Sequence, residues 1–206
     1  ALAFTTLPWT NNTTRATAIS SVAGMPVLTG DLSKLYLGTY WATGGAIPDT
    51  LSTRALYNRW NGVDRTMVRN ASTGSNTVPV ASSGIWSVHN ADSSNALAAV
   101  FGDATTLWSV QVYASARQTV ATTVADIMCA VALDAFNNGS TGTLSGRGSA
   151  DSATGFGNVS AVYVGAPGLG LHTAAWMEQF AGLTSMIWLG SSNAGGNCGI
   201  SGIFKG

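Results

Sequence analysis

The segment Thr105-Thr106-Leu107-Trp108-Ser109-Val110-Gln111-Val112-Tyr113-Ala114 carries the clearest pattern in the chain. Trp108, Val110 and Val112 alternate with Ser109, Gln111 and Tyr113. On an extended backbone successive side chains point to opposite faces, so the apolar set shares one face and the polar set the other. The segment reads as a half-buried strand.

Working upstream, Ala96–Phe101 is a second apolar strand, and Gly102-Asp103 between the two reads as a hairpin turn. In Ile85–His89, Ile85, Ser87 and His89 fall on one face and Trp86 and Val88 on the other. Residues 77–80 and 65–70 are short strand candidates, with Pro79 demoting the former to an edge or a bulge. Residues 33–43 are rich in aromatic and β-favouring residues and read as one strand, ended by Gly44-Gly45 and a turn at Ile47-Pro48-Asp49. Downstream, residues 118–136 fit both a helical and a strand period, and Ile127, Cys129, Val131 and Leu133 favour strand for the second half. Residues 138–157 are small and polar and read as a long, exposed loop. The last third reads as a meander: Val159–Val164, Leu171–Phe180 (strand or short helix), Thr184–Leu189 and Ile200–Phe204. Within it, Trp176, Ile187, Leu189 and Ile200 are expected in one core. The fold class is thus all-β: an antiparallel β-sandwich or jelly roll of about eight to ten strands with long loops and little helix. Residues 1–206 read as a single β-sandwich domain, the ordered part or a fragment of a longer chain.

Composition narrows the function. The chain has 206 residues, 9 basic and 9 acidic, so its net charge is zero and only 9% of it is charged. An ordinary soluble domain is about 25% charged. With 46% hydrophobic residues and 7 Trp the chain is not disordered. No run of about 18 residues is free of polar groups, so no membrane span is expected. Direct nucleic-acid binding by these residues is not expected either, since Arg54, Arg59, Arg65 and Arg69 are interspersed with Asp49 and Asp64. A surface this poor in charge does little to hold copies of the protein apart, which points to self-association.

Chemistry-bearing patterns are few. The two histidines, His89 and His172, sit near no nucleophile motif, and Glu178 in its apolar segment reads as a buried structural carboxylate. No Cys/His metal set occurs, so no metal site is assigned; Asp31, Asp49, Asp103 and Asp151 stand singly, and whether Cys129 and Cys198 pair is open. No catalytic residue and no cofactor are expected, and the chain reads as a non-enzyme. Tryptophans are the remaining candidates for contact. Trp9 beside Pro8, and Trp60 before Asn61-Gly62, read as exposed. Trp188 lies on a strand that is apolar on both faces, so it is either core or a contact with another subunit.

Four short motifs carry a resemblance: Gly170-Leu171-His172, Ala175-Trp176-Met177-Glu178, Ile187-Trp188-Leu189-Gly190 and Gly199-Ile200-Ser201-Gly202. Together they resemble the terminal strands of the jelly-roll coat proteins of small non-enveloped viruses, the nodavirus-like and tombusvirus-like group. The resemblance implies a viral capsid or capsid-projection subunit, located in the virion, that self-assembles through its β-sandwich. The basic internal arm usual in that group does not occur in these residues. The alternative is a secreted or virion-surface module, non-catalytic, that binds a host receptor or glycan through exposed Trp and Tyr.

Overall fold

The computed structural model describes residues 4–71, 76–78, 84–118, 125–136, 146–150, 156–181, 186–190 and 198–206. Among the described residues nineteen strands account for the regular structure, and the helical part is a 3-10 turn at His89–Ala91. Residues up to Asn58 form β1 (Trp9–Asn11), β2 (Thr14–Arg15), β3 (Ile19–Val22), β4 (Met25–Leu28), β5 (Asp31–Leu35), β6 (Gly38–Tyr40), β7 (Thr53–Arg54) and β8 (Leu56–Asn58). Apart from β7, these make three small sheets: β1-β2, β3-β4-β5 and β6-β8.

The sandwich begins at β9 (Asp64–Asn70) and β10 (Asn76–Val78), then β11 (Ser87–Val88), β12 (Ala96–Phe101), β13 (Trp108–Gln118) and β14 (Ala125–Leu133). It ends with β15 (Gly146–Ala150), β16 (Gly157–Gly165), β17 (Gly170–Ala181), β18 (Met186–Trp188) and β19 (Gly199–Lys205). Sheet I contains β9, β10, β13, β16, β18 and β19, and sheet II contains β7, β11, β12, β14, β15 and β17.

The antiparallel pairings reveal a plan. β9 pairs with β19, β12 with β17, β13 with β16, and β14 with β15. The first long strand thus pairs with the last, the second with the next to last, and so inward to one central hairpin. Rolling up that long double ribbon brings β13 against β19 in sheet I and β14 against β17 in sheet II. This is a jelly roll, and the all-β sandwich expected from the sequence is what the chain forms.

One closed core lies between the sheets. The inward set of β13 is the one legible in the sequence: Trp108, Val110, Val112, Ala114 and Ala116 are all fully buried. Opposite them β17 contributes Ala174, Trp176 and Phe180, and β14 contributes Ile127, Cys129 and Val131. Trp176, Leu189 and Ile200 belong to this core, and the partly buried Ile187 packs against it. A second, smaller cluster (Val88, Ala130, Ala132, Ala175 and Met177) takes the opposite side chains of the sheet II strands, with Trp86 packed on it.

Several local expectations are corrected. Gly102-Asp103 does not close a hairpin, because β12 joins sheet II and β13 joins sheet I. The last third is not a meander, because β16, β17 and β18–β19 alternate between the sheets. Both errors have one cause. Glycine-rich turn signals report that the chain reverses, but not which sheet receives the next strand. Residues 33–43 are divided between two strands of different sheets: Tyr36 N–H still bonds Pro26 O of β4 at the end of β5, while Gly38 begins β6, which pairs with β8. The stretch 138–157 is not all loop: Gly146–Ala150 pairs with β14, and β16 starts at Gly157. Residues 137–145 and 151–155, and with them the rest of that expected loop, lie outside the described residues, as does Pro79.

Candidate functional site

The outward side chains of sheet I form an ordered grid. One row runs Val164, Ser109, Ile203, Thr66; the next Val162, Gln111, Ser201, Val68; the third Ser160, Tyr113, Gly199, Asn70. None of the eleven side chains in these three rows is charged; the charges of β9 and β19 on this face, Asp64 and Lys205, lie in the row beyond Ile203 and Thr66. An outward sheet face is normally where a sandwich places its charges. Within the three rows the polar members are hydroxyls and amides only.

The third row contains a gap. Gly199 has no side chain, and a Cβ there would come within 2.8 Å of the Arg69 carbonyl, so the register tolerates nothing larger. Tyr113 and Asn70 stand on either side of it, two strand spacings apart, or about 9.6 Å. The result is an open groove of about 320 Å³ lined by Val68, Asn70, Gln111, Tyr113 and Ser201.

Both histidines face into the sandwich from opposite ends of β17 and its neighbours, and each is bound to a carboxylate. His89 is fully buried, shares a 2.7 Å hydrogen bond between Nδ1 and Glu178 Oε2, and stacks on Trp176 with ring centres 3.6 Å apart. The second Glu178 oxygen accepts the Asn90 N–H at 3.3 Å. Burial pushes the Glu178 carboxyl above its usual range, against the His89 hydrogen bond and charge. His172 Nδ1 lies 2.7 Å from Asp134 Oδ2, whose other oxygen accepts the Thr173 N–H at 2.8 Å. Burial opposes ionisation of Asp134 most strongly, yet the bonds from His172 and Thr173 prevail and hold its carboxyl below the usual range. The inward face of β17 therefore reads His172, Ala174, Trp176, Glu178, Phe180: an apolar stripe that carries two ionisable groups. Glu178 is the buried carboxylate its sequence context predicted.

The third feature joins the first sixty residues to the sandwich. The Arg15 guanidinium lies between the rings of Trp9 and Tyr36, 5.2 and 4.7 Å from their centres. Its Nη2 donates to Tyr36 Oη, Thr39 Oγ1 and Gly102 O at 2.8, 3.0 and 2.8 Å. Nearby, Leu171 N–H donates to Asn12 O at 2.8 Å. Beside Arg15 is a cleft of about 290 Å³, with the Arg59–Asp103 ion pair on its rim.

These contacts place the predicted tryptophans. Trp9 is half-covered by Arg15. Trp60 is 49% exposed, although its Nε1 donates to Tyr36 O at 2.8 Å. Trp188 is 0% exposed and points into the core, so its place among the exposed contact residues is corrected: of the two faces of β18, Met186 and Trp188 are inward. The three do not converge on one site. Cys129 and Cys198 are both buried and are not joined in a disulfide, and burial pushes the Cys198 thiol pKa up. Sequence reasoning named Tyr113 only as the polar side of an alternation and missed the groove, because Gly199 and Asn70 reach it through pairings 86 and 129 residues apart, Tyr113 with Gly199 and Gly199 with Asn70. The chain matches no protein-family model and no curated protein.

Proposed function

We propose that this chain is a structural subunit of a viral capsid or capsid projection, one that associates with copies of itself and resides in the virion. The observation that carries the reading is where the exposed apolar side chains lie. Among the described residues, thirteen of the twenty large hydrophobic side chains left exposed fall in residues 4–63, beside a jelly-roll body whose own core is closed. Single exposed apolar residues are ordinary, but a concentration of this kind marks an interaction surface. The low charge of the chain supports the same reading, since a partner copy would meet little repulsion. Jelly rolls also serve lectin domains and cupins, so the fold enters by analogy and the surface carries the argument. The self-contact is assigned to the N-terminal sheets rather than to the sandwich alone. A non-catalytic role belongs to the same reading, and the burial of both histidines, 0% and 5% exposed, supports it.

Sedimentation velocity on the intact protein over a wide concentration range tests this. Discrete larger species are expected. Leu32 and Leu51, 64% and 62% exposed, should be replaceable by Asp without loss of folding but with loss of association. A strict monomer at every concentration and salt level overturns the proposal.

A further inference from the structure

We infer that the groove across β13, β19 and β9 is a binding subsite for a neutral saccharide. Three observations meet there. First, the groove offers one aromatic platform, Tyr113, 38% exposed at one wall. The C–H face of a pyranose ring packs on such a ring while the phenol oxygen remains free to bond a sugar hydroxyl. Secondly, Asn70, Gln111 and Ser201 surround that platform with two amides and a hydroxyl. Each both donates and accepts, as sugar hydroxyls do. None of these side chains, nor the Tyr113 hydroxyl, is engaged in a hydrogen bond with another described residue. Their bonding capacity is therefore available to a ligand without breaking anything. Thirdly, the floor at Gly199 is bare backbone, so the space between Tyr113 and Asn70 is about two strand spacings wide, which admits one sugar ring between the walls.

The class of ligand follows from what surrounds the groove. The eleven side chains of these three rows are uncharged, and the charged row of β9 and β19 on the same face, Lys205 beside Asp64, lies three rows from Gly199 and Asn70, so nothing in the groove would pair with a carboxylate or sulfate. An acidic sugar would lose water from its charge and gain no counter-charge. A neutral hexose or N-acetylhexosamine unit meets matching groups on every side. A second protein copy would leave the open polar groove incompletely filled, and it is the outcome to be set against the sugar. The inference is independent of the assembly reading, because a monomer presents the same groove.

The test is saturation-transfer NMR on the intact protein with lactose, maltose and chitobiose, each at about 10 mM, tenfold above a weak Kd of about 1 mM. Transfer from the protein to ring protons of at least one sugar is expected. Tyr113→Ala should weaken that sugar by about tenfold, and Tyr113→Phe should retain most of the binding, since the ring face does the stacking. Tyr113 is on the outer face, and unchanged thermal unfolding of both variants checks that the fold is intact. No transfer from any of the three sugars, or binding indifferent to Tyr113→Ala, overturns the inference. So does binding restricted to sialylated or sulfated sugars. Loss of self-association in Tyr113→Ala, with no sugar bound by the parent protein, assigns the face to a partner copy and also overturns it.

Discussion

Residues 4–63 and residues 64–205 are both built mainly of antiparallel strands, yet they treat their apolar side chains in opposite ways. In the body, β13 alternates strictly and its apolar set vanishes into the core. In the N-terminal part, β5 has the residues Asp31-Leu32-Ser33-Lys34-Leu35, and both leucines are exposed. Val27, Ala55 and Tyr57 are the buried hydrophobic residues among those described before Asp64. The difference is one of layers. A sheet hides one face only if a second layer packs on it, and among the described residues the three small sheets of the N-terminal part meet the body only locally, β6 and β8 along β12. They are held instead at a few points: Arg15 on Gly102, Asn12 on Leu171, and Tyr36 and Tyr57 against Gly102. Strand content alone does not make a core, and a strand-rich region without one is a surface waiting for cover.

The comparison breaks most visibly at Trp188. It is fully buried in the core, so Trp188→Ala should cost about 3–5 kcal/mol and Trp188→Asp should abolish folding. Denaturant unfolding measures both. A folded Trp188→Asp protein would mean that the body is less closed than its burial implies.

A smaller effect is expected where the two regions meet. A Cβ at Gly102 would run into the Tyr36 hydroxyl and the Tyr57 ring. Gly102→Ala should therefore cost about 1–3 kcal/mol, spent on undocking the N-terminal part rather than on the core. Mild trypsin should then cut faster at Lys34 and Arg59, while the near-ultraviolet signal of the buried tryptophans stays. Simultaneous loss of both signals would show one cooperative unit instead of two regions. Arg15→Ala removes three hydrogen bonds and two ring contacts at the same junction, and about 2 kcal/mol of the same kind is expected.

The amount legible in the sequence divides along the same line. The β13 alternation, the strand at 125–133 and the shared core of Trp176, Leu189 and Ile200 are local or strongly apolar signals, and they are where the sequence put them. Sheet membership was not legible. Gly102-Asp103 has hairpin chemistry but serves a crossover, since pairing in a jelly roll is decided by partners up to 141 residues apart. Trp188 shows the same limit at one residue. Alternation says that Met186 and Trp188 share a face, but not which face is inside. The groove is harder still, because it depends on the missing side chain of Gly199 lying between two strands distant in sequence.

The smallest effect concerns protons in the body. The folded pKa of Glu178 is raised above its ordinary 4.5. The folded chain then holds a proton that the unfolded chain releases, so this group makes stability fall as pH rises from 4.5 through the folded value. Asp134 has the opposite sign: its folded pKa lies below 3.8, and its contribution is present above 3.8 and lost on acidification through the folded value. Glu178→Gln should flatten the loss above pH 4.5, and Asp134→Asn should remove part of the acid loss below 3.8. Tm measured against pH for the three proteins checks both signs. An unchanged slope in Glu178→Gln would show that the carboxyl is solvated.

Hydrogen–deuterium exchange of the intact protein, compared between dilute and concentrated solution, tests most directly the claim that the N-terminal sheets are a surface made to be covered by another copy. The expected result is added protection in residues 19–58 at high concentration, with β13, β14 and β17 already slow in both conditions. Identical exchange at every concentration, or protection gained only in the body, would contradict it.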